Sequence, residues 1–168
     1  MKKLLLVGIL AVAILLTVFY SLFPSDERKI KRLFKEAASA FEKEDIDGLM
    51  KNVSFNYRDE YGFTYLYLKE FFKRIFSTYS DLKVEHENIK VKVLKDSAMI
   101  DVDIRIIGTL GEETGYIAGD IKTPLHCIFA LEKEKFKWLV VKSEITNFRD
   151  GGGAGIRTPD TADMSRLL

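Results

Sequence analysis

The residues best suited to chemistry sit in one short connector, Tyr57-Arg58-Asp59-Glu60-Tyr61-Gly62. A carboxylate held in an apolar pocket can abstract a proton, and tyrosine hydroxyls beside it can stabilise the oxyanion that forms. Asp59 with Tyr57 and Tyr61 offers that set. The same residues also suit a structural role, in which Asp59 caps or braces the connector into the third helix and the tyrosines pack with their tips in water. His126 is the second candidate, either a base in a pocket wall or a solvent-side residue in phase with Ile128 and Ala130. Strand alternation turns its neighbour Cys127 to the opposite face, with Leu125 and Phe129, so the cysteine reads as a small core residue. Two histidines and one cysteine without ligand spacing predict no metal site. No cofactor is predicted either: the glycines at 108, 111, 115 and 119 lack the strand–loop–helix context of a phosphate-binding loop. Asp101 and Asp103 alternate with aliphatic residues ahead of Arg105, the pattern of a solvated sheet face.

The elements that must position these residues follow from periodicity. Ser25 or Asp26 can cap a helix carrying Ile30, Leu33, Phe34, Ala37 and Phe41 on one face. Asp45 can cap a short second helix with Ile46, Leu49, Met50 and Val53. Tyr65, Leu68, Phe72, Ile75, Phe76 and Tyr79 form the widest apolar stripe, which predicts a third helix in the middle of the domain, against a sheet. The period then becomes two. Leu82 and Val84 fall in one phase and Ile89, Val91 and Val93 in the other, so a bulge is expected near His86–Asn88. Ala98 to Ile106 is the cleanest half-buried strand, Gly108–Thr123 a loop or long hairpin, Leu125–Leu131 a further strand, and Phe136–Phe148 the last. The expected class is α+β: three helices packed on a curved antiparallel sheet of four strands or more.

This layout resembles the nuclear transport factor 2-like superfamily, with its SnoaL-like, cone-shaped α+β fold. The residues that carry the resemblance are Ala37–Met50 (AASAFEKEDIDGLM), the Tyr57–Gly62 connector (YRDEYG) and Lys135-Phe136-Lys137-Trp138-Leu139-Val140 in the terminal strand pair. It spans about residues 25–148. It implies a curved sheet folded around a long helix, with Phe72, Phe76, Tyr79 and Trp138 as residues of the cone interior. The superfamily includes steroid isomerases, dehydratases and polyketide cyclases, and also non-enzymatic modules, some of them single-span membrane proteins. The fold therefore leaves activity open. A deep cone with a desolvated Asp or His would point to an isomerase, dehydratase or cyclase acting on a small apolar substrate. A filled cone would point to a binding or assembly module.

Outside the domain, Leu4–Phe23 is a twenty-residue run without a charge, preceded by Lys2 and Lys3. About twenty helical residues cross a hydrocarbon core of ~30 Å. The run is long for a cleaved signal and lacks an Ala-x-Ala site, so residues 1–24 are expected to be an uncleaved anchor, with membrane contact through residues 4–23. The domain, residues 25–149, is expected outside the cytoplasm, with a homodimer or a membrane-complex partner bound through its sheet. Arg28, Lys29, Lys31, Arg32 and Lys35 beyond the far end argue for the opposite orientation. With 26 Lys plus Arg against 25 Asp plus Glu there is no basic excess, so a nucleic-acid partner is not expected. Residues 150–168 open on Gly151-Gly152-Gly153 and carry no periodic pattern. They are expected to be a disordered tail, and Gly155-Ile156-Arg157-Thr158-Pro159 can be encoded by the complement of a transfer RNA gene arm, as in an overrun reading frame. If residues 4–23 form the anchor, the full-length chain should stay with the membrane pellet after carbonate washing; recovery in the aqueous fraction would remove that reading.

Overall fold

The computed structural model describes residues 25–146, together with Leu10 and Val12. The predicted anchor at 4–23 and tail at 150–168 lie outside the described residues. Among the described residues no helix is long and apolar enough to cross a membrane.

Three helices precede five strands: α1 (Asp26–Glu42), α2 (Ile46–Met50), α3 (Tyr65–Thr78), β1 (Ser80–Leu94), β2 (Ser97–Leu110), β3 (Glu113–Ala118), β4 (Leu125–Glu134) and β5 (Lys137–Ile145). Ser25 is the cap of α1, its side chain accepting from Arg28 N, and Asp26 and Glu27 place negative charge at the positive end of the helix dipole. Asp45 caps α2 by accepting from Gly48 N at 2.9 Å. The sheet runs β1-β2-β4-β5, all antiparallel, and β3 pairs with the far end of β2 beyond the reach of β4. The Gly108–Thr123 stretch is thus a hairpin that contributes a fifth strand, turning at Gly111, whose φ of 65° needs a residue without a Cβ. The expected phase slip in β1 lies between Glu87 and Lys90, where Asn88 takes a φ of 56°.

One face of the sheet is covered. Ala98, Ile100, Val102 and Ile104 of β2, Cys127 and Leu131 of β4 and Trp138 of β5 bury themselves with Ile30 and Phe34 of α1. A second cluster, Phe41, Tyr79 and Leu82, takes Phe72, Ile75 and Phe76 of α3 against it. This corrects the expectation that α3 is the central helix. Its stripe is broad, yet none of its residues is fully buried, whereas Ile30 of α1 is wholly inaccessible. The physical reason is that α3's rings pack on one another and on Phe41, as in the Phe63–Phe71, Phe71–Phe72 and Phe72–Phe76 contacts, so they form a second cluster beside the main core.

Truncating Ile30 should therefore cost far more than its favourable replacement by a strong helix former would suggest. Ile30→Ala is expected to lower stability by about 2–5 kcal/mol in urea unfolding, while Leu66→Ala on exposed α3 surface should change it little.

Candidate functional site

The connector from α2 to α3 folds over the free edge of β5. Ser54 N donates to Val140 O, Val140 N to Asn52 O and Arg58 N to Val141 O, at 2.8–3.1 Å. These bonds drive Ser54, Tyr57 and Asp59 into the interior, where all three are buried. Tyr57 Oη donates to Asp59 Oδ2 at 3.2 Å and lies 2.6 Å from Ser143 Oγ of β5, placed to receive that hydroxyl's proton. Asp59 Oδ1 accepts from Tyr61 N and Phe63 N, both at 2.9 Å. The carboxylate is thus spent on shaping the turn into α3, with the chain reversing at Gly62, where φ is 84°. Tyr61 itself swings into solvent, 59 % exposed, and takes no part in the cluster through its hydroxyl. Burial pushes the Tyr57 hydroxyl up to about 12, with the Asp59 charge adding to the effect.

His126 lies elsewhere. It pairs in register with Asp103 on the sheet face away from the helices. Its Nδ1 is 2.8 Å from Asp103 Oδ1 and its Nε2 is 3.7 Å from Asp101 Oδ1. Asn88 Nδ2 donates to the other Asp103 oxygen at 2.8 Å, and this bond, more than His126, holds the Asp103 carboxyl below the usual carboxylate range. Arg105 forms a separate ion pair with Glu87 at 2.8 Å. The two candidate bases therefore face opposite sides of the sheet and cannot act on one substrate. Cys127, on the covered side, is pushed up to about 12 by burial, which keeps it a thiol and a poor nucleophile.

The remaining pocket candidates divide between two clusters. Trp138 packs with Ile30 and Phe34, whereas Tyr79, Phe72 and Phe76 pack around Phe41. Two open grooves run along α1, and neither is lined by Asp59 or His126. Among the described residues no group of three His, Cys, Asp or Glu side chains is placed to hold a metal ion. Ser143, Asn88 and Asp103 are the partners that sequence reasoning did not pair with the candidates. Only the strand register, which no local pattern carries, brings residues so far apart in the chain together.

No protein-family model and no curated protein matches the chain. Solved structures do. A nuclear transport factor 2-like protein from Cytophaga hutchinsonii superposes with a TM-score of 0.58 at 15% identity, covering 73% of this chain and 98% of that one. A ketosteroid isomerase-like protein from Erwinia carotovora atroseptica gives 0.56 at 15% identity, over 72% and 95%. A Bdellovibrio bacteriovorus protein gives 0.60 at 15% identity over 72% of this chain, which spans 41% of that longer one. The domain has the nuclear transport factor 2-like fold.

If Tyr57 is held neutral by burial, its contribution to stability is complete below pH 10 and is lost as pH rises through about 12, because the folded state resists the ionisation that the unfolded chain undergoes. Tyr57→Phe should make alkaline unfolding shallower across that window. Asp59→Ala, which strips two backbone donors and a hydroxyl of their acceptor, should cost about 2–3 kcal/mol.

Proposed function

Starting from the nuclear transport factor 2-like fold, we propose that this chain is a membrane-tethered, extracytoplasmic binding or assembly module whose domain does no chemistry of its own. The observation that carries this reading is the state of Asp59. Both its oxygens are occupied by Tyr61 N, Phe63 N and Tyr57 Oη. A general base needs a lone pair aimed at a substrate proton in a cavity able to hold that substrate. Here the carboxylate faces its own turn, and neither open groove is lined by Asp59. His126 sits in a polar network on an open sheet face rather than in an apolar pocket, which removes the desolvation that such chemistry uses.

The face that does remain available is the uncovered side of the sheet. Met99, Ile128 and Ala130 lie there among the Asp101–His126–Asp103 group, with all three helices on the other side. This supports a homodimer or a heteromeric membrane complex formed through the sheet, with residues 4–23 holding the domain at the bilayer. The rival reading is an isomerase-like enzyme, favoured by the likeness to the ketosteroid isomerase-like protein and by the buried Tyr57 hydroxyl.

The two readings separate cleanly in membranes. Ile128→Cys should trap a covalent adduct, with a second copy or with another protein, under mild oxidation, and Asp59→Asn should leave that adduct unchanged. Absence of any adduct, together with turnover of a carbonyl substrate that Asp59→Asn abolishes, would favour the enzyme.

A further inference from the structure

The two open grooves share Lys29 and Leu33 of α1. One runs past Arg28, Arg32 and Glu36; the other, of about 400 Å³, runs to Lys51 and to Phe136–Trp138 of the β4–β5 hairpin. Helix and hairpin are locked together at this end. Lys133 Nζ donates to Asp26 Oδ2 at 2.9 Å and stands 5.4 Å over the Trp138 ring. Cations distant in sequence are thereby gathered on one surface: Arg28, Lys29 and Arg32 from α1, Lys51 after α2, and Lys137 from β5.

Three of the carboxylates at this end are held by cations, while on the hairpin Glu134 accepts only from Ser54 Oγ at 2.6 Å and exposed Glu132 forms no ion pair among the described residues. Asp26 is held by Lys29 and Lys133, Glu27 by Lys31 at 2.7 Å, and Glu36 by Arg32 and Lys51 at 2.9 and 3.5 Å. Arg28, Lys135 and Lys137 form no ion pair among the described residues, so positive charge is left over. At the hairpin tip, between Lys135 and Lys137, Phe136 is 94 % exposed. An exposed ring flanked by cations matches the chemistry of a bilayer interface, where aromatic rings settle at headgroup depth and lysines meet lipid phosphates. Connectivity points the same way. Only Pro24 separates Phe23 from Ser25, so the α1 end lies within about 7 Å of the end of the apolar run.

We propose that this end of the domain, the first turns of α1 together with Lys51 and the Phe136 hairpin, docks on the anionic headgroups of the bilayer that residues 4–23 enter. The inference rests on the membrane-tethered reading above and gives the domain a fixed attitude, with the hairpin tip toward the lipid.

The test uses the full chain carrying Phe136→Cys, labelled with an environment-sensitive fluorophore; Cys127 is buried, and the unsubstituted chain gives the labelling background. After reconstitution into phosphatidylcholine bilayers with and without phosphatidylglycerol, the probe should report an apolar setting and be quenched by lipid-borne nitroxide only in the anionic bilayer. High salt should reverse this. Arg28→Glu and Lys137→Glu should each weaken docking by about fivefold or more. A chain that resists carbonate washing while the probe stays in water in both bilayers overturns the docking and leaves the anchor standing. If the chain does not insert, flotation of the unlabelled protein decides: salt-sensitive flotation with anionic vesicles alone supports the docking, and no flotation overturns docking and anchor together.

Discussion

Everything in this domain depends on Ile30 and Phe34 lying on the β2–β4 surface. A twisted sheet with an apolar face is stable only when something covers it, and α1 supplies the cover with two residues one turn apart. Fully burying side chains of this size is worth about 1.5–3 kcal/mol each, comparable to the net stability margin of a small domain when both act together. The Lys133–Asp26 bond then fixes where along the sheet the helix begins, and Asp26, drawn down to about 2 chiefly by Lys133 and then Lys29, stays ionised across the ordinary pH range. Hydrophobic burial provides the strength here, and one partly buried ion pair provides the register.

The same constraint explains what could be read in the sequence. Element type and order were legible because apolar periodicity reflects burial directly: the three helices, the alternating β2 and the bulge near Asn88 all follow from spacing. Rank among the helices was not. The stripe of α3 is richer in aromatics than that of α1, and richness suggested centrality. Aromatic rings, however, satisfy one another in ring contacts within their own cluster, while the smaller Ile30 reaches the sheet. The hairpin at Gly111 was half legible, since glycine marks the turn but the β2–β3 pairing depends on where β4 stops. The candidate site shows a similar division. The Tyr57–Asp59 proximity could be anticipated from a two-residue separation, whereas Ser143, 86 positions away from Tyr57, entered only through the fold.

Asp59 illustrates how one constellation serves either chemistry or structure. A buried aspartate beside a tyrosine is the makings of an acid–base site when its oxygens point into space. The turn at Gly62 instead presents two backbone N–H groups to Oδ1, and without that acceptor the half-buried donors of Tyr61 and Phe63 would lose their partner. The bonds that tie residues 52–58 to β5 carry Tyr57 and Asp59 inward regardless of function, so their burial alone says nothing about catalysis; the direction of the carboxylate does.

Those bonds also close one route by which another chain could add to the sheet. This sheet offers the edges of β1, β5 and the short β3, and one open face, for association. The β5 edge is occupied by the connector through Asn52, Ser54 and Arg58. The β1 edge is interrupted by the bulge at Asn88 and carries exposed Lys83, Lys90 and Lys92, features that discourage a further strand from adding. Apart from the six-residue β3 edge, what remains is the face holding Ile128, Ala130 and Met99 around His126 and the two aspartates. An apolar patch with a charged network at its centre favours a partner that brings complementary polar groups, since burying Asp101 and Asp103 against plain hydrocarbon would cost more than the surrounding methyl groups return. Under the proposed function, selectivity at that surface would rest on polar residues that the strand register placed side by side.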